Sequence, residues 1–176
     1  MTDRAELESD LERLHGESFA WALACCQWDR TEAEDVIQST YLKVLDGTAR
    51  FEGRSCLKTF LFAVIRRTAG ERRRRSQFHG LALWRWAQER PEPERRSSEH
   101  AVHLSRASSQ LIAALSRLPV RQKEVLHLVF YQDLSISEAA EVMGVSLGTA
   151  RQHYDRGKRQ LRQILGPTLR PQECFG

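Results

Sequence analysis

The chemistry most legible in this chain is recognition, and it is concentrated near the C-terminal end. Within eleven residues stand Thr149, Arg151, Gln152, Asp155, Arg156 and Arg159. Arginine and glutamine form paired hydrogen bonds with base edges, an aspartate accepts from a cytosine amino group, and further arginines neutralise phosphates. None of these residue types in this spacing makes a nucleophile or a proton shuttle. They act together only if one helix carries them on one face.

The flanking residues supply that helix. Ser135 followed by Glu138 is a capping box, so a short helix is predicted to start there and to stop at Gly144, a natural left-handed residue after a helix end. Ser146 can cap a second helix, in which Leu147, Ala150, Tyr154, Gly157, Leu161 and Ile164 recur at three- and four-residue spacing as a buried stripe. The recognition residues fall on the opposite face. Two helices joined by a tight glycine turn, the second one basic, match a helix-turn-helix that enters a major groove. The competing reading is an ordinary packed helix pair with a solvated charged face. The paired hydrogen-bonding capacity of Arg151 and Gln152 favours DNA.

With 176 residues, 41% hydrophobic and 28% charged, the chain has a globular composition and room for one domain or two small ones. No apolar run, Phe60 to Ile65 among them, approaches the roughly 18 residues that cross a membrane, so no membrane insertion is predicted. The first residues lack a basic start and an apolar core of the signal-peptide kind, which predicts a cytoplasmic protein with free thiols at Cys25, Cys26, Cys56 and Cys174. The adjacent Cys25 and Cys26 read as small packing residues. His100 and His103 have no cysteine or carboxylate pair at matching distance, so neither a metal nor a cofactor is predicted.

Net charge is only +4, but its distribution is uneven. Residues 1 to 45 carry 4 basic and 10 acidic side chains, and residues 46 to 90 carry 11 basic and 4 acidic. That asymmetry implies two partners, one basic and one a polyanion. Six of the ten residues from Arg66 to Arg75 are arginine, a density that phosphates would neutralise.

The N-terminal half reads as helices. Leu7, Leu11, Leu14, Trp21 and Leu23 predict one amphipathic helix from about Glu6 to Ala24. Thr31 and Glu34 form a further capping-box pattern, and Ala33, Val36, Ile37, Tyr41, Val44 and Leu45 give the stripe of the helix that follows. Its second face aligns Asp35, Gln38, Ser39 and Leu42, an exposed leucine among polar groups, as on a docking surface. A two-glycine loop then leads to Ser55, a plausible cap for a helix burying Leu57, Phe60, Leu61, Val64, Ile65 and Thr68, with Phe62 expected outside. Past Ser76 the periodicity breaks up around Pro91-Glu-Pro-Glu, and the apolar patch Leu81 to Trp86 sits in that stretch. Periodicity returns at Leu111, Ile112, Leu115 and Leu118, and Pro119 opens a helix carrying Val125, Leu128, Val129 and Tyr131. The predicted fold is all-α: two small helical domains, 1–76 and 109–168, joined by a flexible linker at 77–108, with a tail at 169–176.

Two ordered signatures tie these pieces to a known family. The first is Asp29-Arg-Thr-Glu-Ala-Glu-Asp-Val-Ile-Gln-Ser-Thr-Tyr-Leu-Lys-Val44 with Phe51-Glu-Gly-Arg-Ser and Leu57-Lys-Thr-Phe-Leu after it; the second is Leu118-Pro-Val-Arg-Gln-Lys-Glu-Val-Leu followed by Leu134-Ser through Gly144-Val-Ser-Leu-Gly-Thr149. The chain resembles a bacterial RNA polymerase sigma factor of the sigma-70 family, of the short extracytoplasmic-function class. The resemblance implies that the helix at 32–45 docks on the clamp helices of the polymerase's largest subunit, with Asp35, Gln38 and Leu42 at the matching positions. It implies that the loop from Thr48 to Ser55 and the helix after it hold the promoter's minus-ten element around a flipped base. Phe51, Arg54, Lys58, Phe62, Arg66 and Arg67 are the candidates there. The C-terminal helix would read the minus-thirty-five element and pack on the polymerase flap, the linker would thread the RNA exit channel, and an anti-sigma factor would restrain the protein. The chain departs from the family pattern at Ser39, often acidic, at Phe60, often tryptophan, and at Arg67, often asparagine.

Two other classes compete with this reading. A stand-alone DNA-binding regulator would use the same helix but would leave the acidic N-terminal face idle. A nucleic-acid enzyme would need a phosphate-cradling Gly-Lys-Ser/Thr loop, a metal-ligand cluster or spaced carboxylates by a basic groove, and the sequence offers none.

Overall fold

The computed structural model describes residues 4–84 and 106–166, and among them the secondary structure is entirely helical. Eight helices follow in order: α1 (Arg4–Arg13), α2 (His15–Cys25), α3 (Arg30–Leu45), α4 (Leu57–Trp84), α5 (Arg106–Ser116), α6 (Val120–Phe130), α7 (Ile136–Met143) and α8 (Leu147–Leu165). They form two compact units, one of α1–α4 and one of α5–α8. Helix α4 runs past Ser76 to Trp84 and α5 begins at Arg106, so both enter the stretch expected to be linker. Residues Leu81 to Trp84 of the apolar patch belong to α4, while Arg85, Trp86, His100, His103, Cys174 and the tail at 169–176 lie outside the described residues.

In the first unit α2, α3 and α4 pack on one another and α1 lies against α2 and α3. The single helix expected from Glu6 to Ala24 is two, divided at Leu14 with φ −86° and ψ 0°. Leu11 before the division and Trp21 after it are both buried. Buried Trp21 needs a partner for its one N–H, and Nε1 donates to the Phe62 carbonyl of α4 at 3.0 Å. The two rings stack at 6.1 Å between centroids.

That contact overturns the expected phase of α4. Phe62 is fully buried and Phe60 is the half-buried ring, tilted against Phe51 at 5.3 Å. Phe60 to Ile65 are six apolar residues in a row, so spacing alone could not say which ring faces inward. Two caps also differ from expectation. Helix α3 starts earlier than Thr31, because Asp29 accepts from the Glu32 N–H at 3.0 Å after Gln27 and Trp28 have turned the chain with φ of 55° and 68°. Helix α4 is capped by Cys56 rather than Ser55, its sulfur accepting from the Thr59 N–H at 3.5 Å. Cys25 and Cys26 are buried at the end of α2, where loss of water pushes the Cys26 thiol up to about 12. A thiol so disfavoured as thiolate is a packing group.

The second unit has the expected helix-turn-helix. Ser135 and Glu138 make the reciprocal capping box, Gly144 closes α7 at φ 64°, and Ser146 caps α8 by accepting from the Thr149 N–H at 3.2 Å. Helices α6, α7 and α5 all pack on α8. The packing is tight at Gly157, where a Cβ would stand 3.0 Å from Leu126 Cδ1 and 3.3 Å from Gln122 Cβ. Glycine there lets two backbones approach, which offsets its cost of about 1 kcal/mol in a helix interior. Tyr131, expected inside, is 67% exposed because α6 ends at Phe130 and the chain turns away.

Two outcomes follow from this packing. Phe62→Ala should lower the unfolding free energy by about 3–5 kcal/mol in chemical denaturation, the cost of emptying an aromatic site in a closed core. The ring of His127, at the end of α6 with Gln132 Nε2 at 3.3 Å, is held at a pKa of about 4 by burial. The unfolded chain therefore takes up the proton first, so this contribution to stability is present above about pH 6.5 and is lost as pH falls toward 4. Thermal unfolding across that window should fall less steeply with acid in His127→Gln than in the native chain.

Candidate nucleic-acid and polymerase interface

Helix α8 sorts its residues cleanly by face. Ala150 and Gly157 are buried, with Tyr154, Leu161 and Ile164 half-buried on the same side. Arg151, Gln152, Asp155, Arg156 and Arg159 are all exposed on the other, and no hydrogen bond or ion pair among the described residues occupies their side chains. Arg162 lies on the same exposed arc and was not among the residues singled out from the sequence. Thr149 is half-buried, and its hydroxyl lies 2.9 Å from that of Ser146, so it is committed to the cap of the helix that presents the others. Such a face offers four guanidinium forks along the helix, with the Gln152 amide and the Asp155 carboxylate among them, suited to base edges flanked by phosphate.

In the first unit, the candidate residues divide into free and committed. The loop after α3 opens with an Asx turn in which the Thr48 N–H donates to Asp46 at 2.8 Å; hydrogen bonds from Thr48 lower the Asp46 carboxyl's pKa. Glycines at positive φ, Gly47 at 78° and Gly53 at 70°, carry the chain through it. Phe51 and Phe60 form an aromatic pair at its edge. Arg54 is exposed, paired with Glu52 at 2.8 Å. Lys58 is tied to Glu17 of α2 at 2.8 Å and lies over the Phe62 ring at 5.7 Å, while Phe62 itself is core and is removed from the DNA candidates.

The arginine run of α4 is split by helical phase. Arg67, Arg74 and Arg75 are exposed, and Arg66 is half-buried. Arg72 instead donates to Asp35 of α3 at 2.6 Å, and Arg73 donates to the Cys25 carbonyl at the end of α2 at 2.7 Å. Nearby, Lys43 bridges Thr68 at 3.2 Å and Glu71 at 2.7 Å, and that hydrogen bond lowers the pKa of the Glu71 carboxyl. Sequence density had grouped six arginines together; only burial and pairing separate them. On α3, Gln38 is exposed and Leu42 is 66% exposed, with Asp35 half-buried beside them.

Comparison with known proteins accounts for both units. Residues 12–79 match the model of sigma-70 region 2 and residues 114–163 match that of sigma-70 region 4. The sigma factor SigX of Bacillus subtilis, of the extracytoplasmic-function class, is 30% identical over 139 residues, covering 77% of this chain and 71% of the relative. SigE of Mycolicibacterium smegmatis, of the same class, is 30% identical over 173 residues, covering 93% of this chain and 64% of the relative. Among solved structures, the sigma factor RpoE of Bartonella quintana, crystallised with the anti-sigma factor NepR, matches with a TM-score of 0.70 at 22% identity, over 93% of this chain and 99% of that one. No described helix is long and apolar enough to cross a membrane. With region 2 and region 4 in order, and with relatives of one class matched across both, the chain belongs to the sigma-70 family of RNA polymerase sigma factors, in its extracytoplasmic-function class.

Proposed function

We propose that this protein is an alternative sigma factor that binds core RNA polymerase, directs it to promoters with minus-ten and minus-thirty-five elements, and assists melting, without catalytic residues of its own. The carrying observation is the separation of two faces: an uncommitted arginine and glutamine face on α8, and an open leucine face on α3 in the other unit. A polyanion suits the first and a protein the second.

In this reading Asp35, Gln38 and Leu42 meet the clamp helices of the polymerase's largest subunit. Phe51, Phe60, Arg54, Arg66 and Arg67 surround the minus-ten strand, the aromatic pair giving stacking surface and the arginines holding phosphate. Lys58 belongs to this group only when Glu17 releases it. Arg151, Gln152 and Asp155 read the minus-thirty-five element while Arg156 and Arg159 position the helix on phosphate, and the second unit packs on the polymerase flap. The RpoE–NepR complex supports restraint by an anti-sigma factor, and a protein with these partners would work in the cytoplasm.

The direct test adds the purified protein to sigma-free core polymerase and maps transcript starts on fragmented DNA from its source. Defined starts sharing two upstream elements are expected. Tight duplex binding by the protein alone, with no defined starts, would point to a stand-alone regulator instead. Within the upstream element, Arg156→Ala should weaken binding evenly across promoter variants, whereas Arg151→Ala should relax discrimination at one position by about 1–3 kcal/mol. Equal losses for both variants on every sequence would sink that division of labour.

A further inference from the structure

The arginine run of α4 contains a member that serves α3 rather than DNA. We infer that Arg72 is a positioning residue of the polymerase-facing surface, acting with Asp35 as one recognition unit; the inference rests on the docking reading of α3 given above. Three observations carry it. Arg72 Nη2 donates to Asp35 Oδ2 at 2.6 Å, joining the two helices where Asp35 is half-open to solvent. Helical phase turns Arg72 toward the packing side of α4, which Ile65, Thr68 and Ala69 line, and away from the arc on which Arg67 and Arg74 stand exposed seven residues apart. The neighbouring rung, Lys43 with Thr68 and Glu71, joins α3 to α4 along the same seam.

The chemistry of the pair suits a partner better than either residue alone. With Oδ2 held by Arg72, the Asp35 carboxylate is fixed in one orientation and keeps Oδ1 for an incoming donor. The guanidinium keeps further N–H groups beside it for an acceptor, so the surface offers a donor and an acceptor at fixed spacing. The partner this fits presents a cationic donor next to an acceptor, as paired basic and acidic side chains on a helix do. Fixing both groups before contact reduces the ordering cost of binding. A second consequence concerns charge: Arg72, already neutralised by Asp35, adds nothing to the phosphate-binding count of α4.

The test compares Arg72→Ala, Arg72→Lys, Asp35→Ala, Leu42→Ala, Arg74→Ala and the double variant Arg72→Ala with Asp35→Ala, all in the full chain and all checked for folding by thermal unfolding. Affinity for core polymerase is measured by titration, and the salt dependence of promoter binding is measured on the resulting holoenzyme. Arg72→Ala should weaken core binding about three- to fivefold, the scale of one partly exposed ion pair, and should add nothing further when Asp35→Ala is already present. Arg72→Lys should recover only part of the loss, because an ammonium lacks the fork. The salt slope of DNA binding should be unchanged by Arg72→Ala and reduced by about one by Arg74→Ala. Unchanged or tighter core binding by a folded Arg72→Ala, with Asp35→Ala and Leu42→Ala still weakening it, would overturn the inference and leave the docking reading standing. A reduced salt slope in Arg72→Ala would overturn it by returning Arg72 to the DNA face. If neither Asp35→Ala nor Leu42→Ala affects core binding, the docking reading itself fails and takes this inference with it.

Discussion

The rotational phase of α4 governs the first unit, and the Trp21 contact sets it. An indole N–H inside a closed core has to find an acceptor, and the carbonyl of Phe62 supplies one at 3.0 Å. Once Trp21 sits over Phe62, the rest of α4 has no freedom to turn. Phe60 must face the loop and meets Phe51, Arg72 must face α3 and meets Asp35, and Arg67 and Arg74 must face out. One hydrogen bond and one ring stack thus fix which way the polar groups of α4 face from Leu57 to Arg75.

In the second unit the corresponding constraint is steric. Gly157 lets α8 lie close over Leu126 and Gln122, and with that side pressed to α6 the arginines of α8 have only solvent to face. The caps reinforce the geometry. Ser146 holds the first turn of α8 through Thr149, so the residues that follow start in a defined register from the glycine turn. Arg151 and Gln152 are therefore presented by a rigid helix and not by a mobile chain, which is the condition for paired hydrogen bonds to a base edge.

Charge is used in two different ways along this chain. Lys43, Lys58, Arg72 and Arg73 are spent on joining helices, each to a carboxylate or a carbonyl of another element. Arg67, Arg74 and Arg75, with the α8 arginines, remain exposed. A net charge of +4 conceals this division, since the acidic surplus of the first 45 residues includes Glu17 and Asp35, the partners of Lys58 and Arg72.

The sequence by itself determined the two all-helical units, the helix-turn-helix with both of its caps, the polar face of α8 and the family. Those features rest on local rules, in which a serine and a glutamate three apart just before an apolar-periodic stretch, a glycine after a helix, and apolar residues every third and fourth position all point to the same element. It did not determine which of Phe60 and Phe62 is core, that Asp29 rather than Thr31 caps α3, or that the first helix divides at Leu14. Nor could it separate Arg72 and Arg73 from the other arginines of the run. In an unbroken apolar stretch or an unbroken basic one, every phase of the helix satisfies the local pattern equally well. Only contact with a second element, here Trp21 packed on Phe62, makes one phase lower in free energy than the rest; the arginines of the same helix then take their places from that phase, and that contact exists only in the tertiary structure.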